Sequence, residues 1–203
     1  MKLPIFASVI IFVVTLTHAI RHNRRQKESL EKGFWARESM ANSVRRKPID
    51  RLDYINIPVE QLPMSLLADD PQIAECIEII KNLSAKRILN LTGFTNTDLK
   101  LEYGAANITE LSEYDQNYTL LVRTLQKWAD ALFEVEEKEA AVSLLEFAVS
   151  THTDVSKTYD RLADYYLANG ASDKIDHLIE VASTLRSSNK NVILRHLKEK
   201  KGR

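Results

Sequence analysis

Five histidines, at positions 18, 22, 152, 177 and 196, one cysteine at 76 and 28 aspartates and glutamates are the side chains of this 203-residue chain that bear on metal or acid–base chemistry. A zinc site needs three or four such ligands brought together by short cysteine or histidine spacings. Here the histidines are scattered and the cysteine has no second thiol beside it. Gly33, Gly93, Gly104, Gly170 and Gly202 stand too far apart for a phosphate-cradling loop or a dinucleotide fingerprint. The carboxylate run EVEEKE at 134–139 falls at an expected helix junction, where solvation leaves carboxylates ionised and unsuited to acid–base work. Cys76 lies beside an apolar helical stripe and reads as a small core residue. A site assembled from scattered residues would draw first on Asp98, Tyr103 and Asn107 in the polar segment 93–107. No catalytic residue, metal ligand or cofactor site is assigned, and the chain reads as a non-enzyme.

The elements that hold these residues are expected to be helices. Apolar residues make up 44% of the chain and charged residues 28%, enough for a buried core, while five glycines and five prolines punctuate too rarely for an all-β fold. The expected class is all-α. A net charge of zero hides a segregation: residues 21–51 carry ten Lys/Arg against four acids, and residues 186–203 carry seven against one, so an acidic body lies between two basic segments. Nucleic-acid binding is excluded as a reading, because the body is acidic and the basic segments lack interleaved aromatics.

Residues 3–20, LPIFASVIIFVVTLTHAI, contain no charged side chain and span about 27 Å as a helix, close to the hydrocarbon thickness of a bilayer. Arg21, Arg24, Arg25 and Lys27 follow at once, against Lys2 alone before it. The positive-inside bias puts the following domain in the cytoplasm and the short N-terminus outside. The alternative is an exported helical domain after signal cleavage, which Thr17-His18-Ala19 serves poorly as a cleavage site.

Five segments are expected: a transmembrane anchor at 1–20, a basic juxtamembrane helix at 21–47, an extended strap at 48–70, a helical cap region at 71–117 and helical hairpins at 118–203. Pro48 should end the juxtamembrane helix, and Phe34-Trp35 sits either at the headgroup level or on the soluble domain. Ile55, Ile57 and Val59 alternate at strand period, but no second strand is evident. Asp70-Pro71 should start a helix over 71–91 with Ile73, Ile77, Ile80, Ile88 and Leu91 on its stripe. Thr95 and Asp98 have capping-box spacing, a short helix is expected at 108–114, and Asp115 or Asn117 should cap a long one.

Beyond residue 118 a period emerges. Leu125, Trp128, Ala129, Leu132, Ala141, Leu145 and Ala148 recur 34 positions later as Tyr159, Leu162, Ala163, Tyr166, Ile175, Ile179 and Ala182. Small residues recur at 129/163 and 148/182, where helices must approach closely. This resembles the tetratricopeptide repeat, a helical hairpin with the pattern W-x2-L-G-x2-Y followed by small residues in the second helix. Repeats are assigned to 122–155 and 156–189, with a closing helix at 190–200. The chain departs from the pattern where Leu125 and Tyr159 replace the tryptophan, Ala129 and Ala163 the glycine, and Thr153 and Ser187 the closing proline. The order of an anchor, FWARESMANSVRRKPIDRLDYINIP and NTDLKLEYGAAN is also similar to a group of anchored proteins of clostridial-type bacteria, a likeness that implies no activity.

The repeat resemblance implies an α-solenoid-like stack whose first helices line a peptide groove. The groove positions would be Arg123, Gln126, Asp130, Phe133, Glu134, Lys157, Asp160, Asp164, Leu167 and Ala168. Four acids against two bases there suit a basic or amphipathic peptide. The basic tail at 196–203 could instead dock on the acidic body of a second copy, giving self-association, or contact lipid. The functional expectation is a membrane-anchored, non-catalytic scaffold on the cytoplasmic face; a small enzyme with an unrecognised site is the other alternative. The anchor reading predicts that a C-terminal tag survives protease added to intact spheroplasts, and its digestion from outside would reverse the topology.

Overall fold

The computed structural model describes residues 3–202; within the first helix, the side chains of residues 3–11, 13, 14, 19, 25, 26, 28 and 29 lie outside the description. Among the described residues every regular element is helical, so the class is all-α. The helices are α1 (Leu3–Ser43), α2 (Pro71–Ser84), α3 (Asn96–Tyr103), α4 (Ile108–Glu134), α5 (Lys138–Ser150), α6 (Ser156–Ala168), α7 (Asp173–Thr184) and α8 (Lys190–Lys201), with short 3-10 turns at Val59–Gln61 and Ala105–Asn107. Among the described residues no helix is long and apolar enough to cross a membrane. The expected anchor and its cleavage alternative fall largely on residues and side chains outside those described. The chain divides into two compact units.

The first unit joins residues up to Lys47 with residues 95–107. Its α1 runs as one continuous helix through the expected anchor and juxtamembrane segments, and it ends at Ser43, before Pro48. Residues 44–47 leave the helix because they are held against the end of α3. Lys47 N–H donates to the Tyr103 carbonyl at 3.0 Å. Asn107, fully buried, donates to the carbonyls of Lys47 and Tyr103, both at 2.7 Å, and accepts from Arg46 Nε at 2.8 Å. Two main-chain carbonyls and a guanidinium thus give one buried amide all its partners. The α3 start forms the reciprocal Thr95–Asp98 capping box. Asp98 also accepts from Arg37 at 2.6 Å, while Glu38 accepts from Thr97 at 2.7 Å and pairs with Lys100.

Hydrogen bonds from Thr95, with Arg37 beside it, hold Asp98 below the usual carboxylate range; Lys100 and Thr97 do the same for Glu38. Folded-state values below the unfolded ones mean that these carboxylates support this joint fully above about pH 5 and lose that effect as pH falls below about 4. Farther along α1, Phe34 and Trp35 form an exposed edge-to-face pair, 56% and 66% accessible.

The second unit comprises residues 48–94 and 108–202 of the described chain. Asp70 caps α2 by accepting from the N–H groups of Gln72 and Ile73, with Pro71 at the first helical position. Ile73, Cys76, Ile77, Ile80 and Leu83 form its buried face. The helix ends at Ser84, not at 91, and residues 87–91 run without helical structure. There Ile88, Leu89 and Leu91 are all buried, a density that one helix stripe does not produce. This segment supplies the partner that the alternating strap lacked in sequence: Ile55 N–H donates to the Ile88 carbonyl at 2.9 Å.

α4, by contrast, is longer than expected, running unbroken through Asp115 and Asn117. Those two residues do not cap it. Asp115 accepts from Leu91 N–H at 3.1 Å, and Asn117 donates to the Arg87 carbonyl at 3.0 Å. Their polar ends hold the 87–91 segment, and burial raises the Asp115 carboxyl against that one backbone donor. α4 and α5, then α6 and α7, form successive helical hairpins, and α8 packs on α6 and α7.

Gly104 fixes the first unit's joint. Its φ is +91°, and an added Cβ would overlap the Arg45 carbonyl and come within 2.9 Å of the Arg46 Cα. Gly104→Ala should therefore destabilise this unit by about 2 kcal/mol. Hydrogen exchange should locate the loss in α3 and residues 44–47 and spare the α4–α5 hairpin.

Candidate functional site

The hairpin helices end in step. Glu134 and Ala168 close α4 and α6, and Ser150 and Thr184 close α5 and α7, each pair 34 residues apart. Of the fourteen repeat-packing positions, thirteen are buried: Leu125, Trp128, Ala129, Leu132, Ala141, Leu145, Ala148, Tyr159, Leu162, Ala163, Tyr166, Ile175 and Ala182; Ile179 is half-buried against the same core. The tyrosines that replace leucines carry their hydroxyls to partners. Tyr159 Oη donates to the Thr153 carbonyl at 2.8 Å, and Tyr166 Oη donates to Glu146 Oε1 at 2.6 Å. Desolvation raises both phenols, so they remain neutral donors.

The expected groove positions on α4 and α6 meet through their side chains. Lys157 Nζ is 2.7 Å from Asp130 Oδ2, and Arg161 is 3.9 Å from Asp130 Oδ1 while its guanidinium lies 5.2 Å over the Phe133 ring. Thr158 Oγ1 donates to Gln126 Oε1 at 2.8 Å. Asp160 and Asp164 meet α8: Lys200 Nζ is 2.6 Å from Asp164 Oδ1 and 3.7 Å from Asp160 Oδ1, and His196 Nδ1 is 3.5 Å from Asp160. Arg123, Glu134, Leu167 and Ala168 are exposed. Two hollows open along this face: one of about 390 Å³ beside Arg123, Gln126 and Asp130, and one of about 340 Å³ beside Asp160, His196 and Lys200.

Sequence reasoning missed Lys127, Arg161 and Lys200, because counting only the first-helix positions left out their neighbours and all of α8. One signal was available: Lys157 and Arg161 stand four apart, as two cations facing one carboxylate do. With these included, Asp130, Asp160 and Asp164 are compensated within the chain while Glu134 stays exposed, and the charge argument for a basic peptide loses most of its force. His196, Lys200 and Lys201 of the basic tail are likewise engaged in cis, the last with Asp176.

A larger cleft, about 510 Å³, lies between the strap, residues 89–94 and the C-terminal ends of α5 and α7. Several of its polar groups are already matched. Asn90 Nδ2 lies 2.9–3.1 Å from Tyr118 Oη and the carbonyls of Thr151 and His152, Ser187 donates to Asp154, and Arg186 stacks 4.6 Å over Phe94. Burial pushes Tyr118 up to about 12. This cleft is a structural joint.

The three residues singled out for chemistry, Asp98, Tyr103 and Asn107, belong to the α1–α3 joint. Asn82, Asn90, Asn107 and Asn117 each begin an Asn-x-Ser/Thr triplet, and the last three are held by internal hydrogen bonds. Cys76 is fully buried and burial raises its thiol, which leaves it a poor nucleophile. His18 and His22, against the reading of the histidines as scattered, stand four apart on α1, both exposed; among the described residues no group of three or more His, Cys, Asp or Glu is placed to hold a metal. No protein-family model, curated protein or solved structure matches the chain.

Lys200→Ala should loosen the last turns of α8 by about 0.5–1 kcal/mol, since the pairs it removes are partly solvated. Amide exchange should rise there and stay unchanged in α5, with Ile193 and Leu197 still buried.

Proposed function

We propose that the chain is a membrane-anchored, non-catalytic scaffold that uses the α4–α6–α8 face of a tetratricopeptide-like stack to bind a peptide segment of another protein in the cytoplasm. The observation that carries this reading is the equal spacing of helix ends and buried positions in successive hairpins, combined with hollows on the first-helix side. Equal spacing repeats one supersecondary unit, and stacking such units leaves a continuous face of first helices. The anchor part of the proposal rests on the uncharged run 3–20 and the basic cluster that follows it.

The test is site-specific photocrosslinking of the full chain in membranes, with the photoreactive residue at Arg123 on the proposed face or at Glu139 on α5. A discrete crosslinked protein at position 123 and none at 139 is expected. Equal crosslinking at both positions would remove the face as a binding surface.

A further inference from the structure

Two imidazoles share one face of α1. His18 and His22 stand four residues apart in an unbroken helix, so their Cα atoms are separated by about 6 Å along the axis and about 40° around it. That spacing sets the two side chains one above the other on a single stripe. Both are exposed, and neither has a hydrogen bond or ion pair among the described residues. The other histidines are placed differently. His177 lies 3.9 Å from Glu180, and His196 lies 3.5 Å from Asp160. His152 occupies a left-handed turn after α5, with φ +58°. Cys76 is buried in the core of the second unit. Among the described residues, α1 is therefore the place where two unengaged imidazoles are offered side by side.

A neutral imidazole nitrogen is a good donor to zinc-like ions, and two of them at i and i+4 of a helix reach one ion without moving the backbone. Hard ions such as Mg2+ and Ca2+ take oxygen ligands and gain little from such a pair. The helix fixes the separation of the two donors before the ion arrives, so only side-chain torsions are ordered on binding. Among the described residues no third His, Cys, Asp or Glu joins them, so water fills the remaining coordination positions. Arg21 and Arg24, exposed cations of the same stretch, repel a doubly charged ion and hold the affinity to a moderate value. We propose that His18 and His22 form a two-imidazole clamp that binds one divalent ion of the zinc, nickel and copper class. Each imidazole donates a nitrogen lone pair to the ion and displaces one of its waters. Closing the clamp ties two successive turns of α1 together where the uncharged run meets the basic cluster. The site needs only α1, so it stands whether or not the repeat face binds a peptide.

The experiment is calorimetric titration of the full chain in nonionic detergent micelles, with Zn2+ alone and then with Mg2+ alone. Zn2+ should bind at micromolar concentration and Mg2+ should not bind. His18→Gln and His22→Gln should each weaken Zn2+ binding by about tenfold. His177→Gln should leave it unchanged. A double variant, His22→Gln with Asn23→His, keeps the number of histidines and carries the second imidazole about 100° further around the helix. It should bind as weakly as His22→Gln alone. All the altered side chains are exposed, and equal circular dichroism checks that helicity is kept. Amide exchange over residues 18–26 should slow when Zn2+ is added to the unaltered chain, and should not respond in the single α1 variants. No Zn2+ binding up to millimolar concentration would overturn the clamp. So would binding indifferent to His18→Gln or His22→Gln, or binding at full strength in the displaced double variant.

Discussion

Close approach of helices through alanine is the constraint on which the second unit depends. Ala129, Ala141, Ala148, Ala163 and Ala182 are all at most 1% exposed. Each stands where a larger side chain would push neighbouring helices apart, and overfilling such a crossing costs about 1–3 kcal/mol. The space they concede is taken by Trp128, Tyr159 and Tyr166, whose rings fill the volume between hairpins. The burial of the tyrosines then requires their hydroxyls to find oxygen partners, which Thr153 and Glu146 provide.

Polar side chains with several acceptors do the joining where regular structure stops. Asn107 closes the end of α3 on residues 46–47, and Asn90 closes the end of α5 on residues near 151. Asp115 and Asn117 hold an extended segment from the side of a helix. In each place the side chain completes main-chain hydrogen bonding that neither a helix nor a sheet supplies. These joints absorb most of the polar residues that look chemical in the sequence. The residues around Gln126 differ, because their partners run out before their hydrogen-bonding capacity does.

The two interpretations of the charged face show how tertiary neighbours decide electrostatics. Asp130, Asp160 and Asp164 look like an acidic groove when only their own helices are considered. The i, i+4 pair Lys157 and Arg161 and the last turn of α8 then neutralise them. What remains at the first hollow is the exposed Arg123, with Lys127 and Lys157 paired to Glu75 and Asp130. Charge composition along a chain is therefore a weak guide to the potential of a surface built from three separated helices.

The sequence by itself determined the helical class, the cap of α2, the Thr95–Asp98 box and the spacing of buried positions in the hairpins. These rest on local periodicity and on caps that reach only a few residues, so neighbours along the chain contain the information. Three other features were decided only by the folded chain: that α2 stops at Ser84, that α4 passes through Asp115 and Asn117, and that residues 87–91 lie extended beside the strap. Ile88 and Leu91 fit a helical stripe as well as they fit a sandwiched segment. Only contacts made across tens of residues, from Ile55 on one side and α4 on the other, select the extended form. The same reason governs the face: which carboxylate is paired depends on α8, whose position follows from where Ile193 and Leu197 are buried and not from any pattern near Asp160.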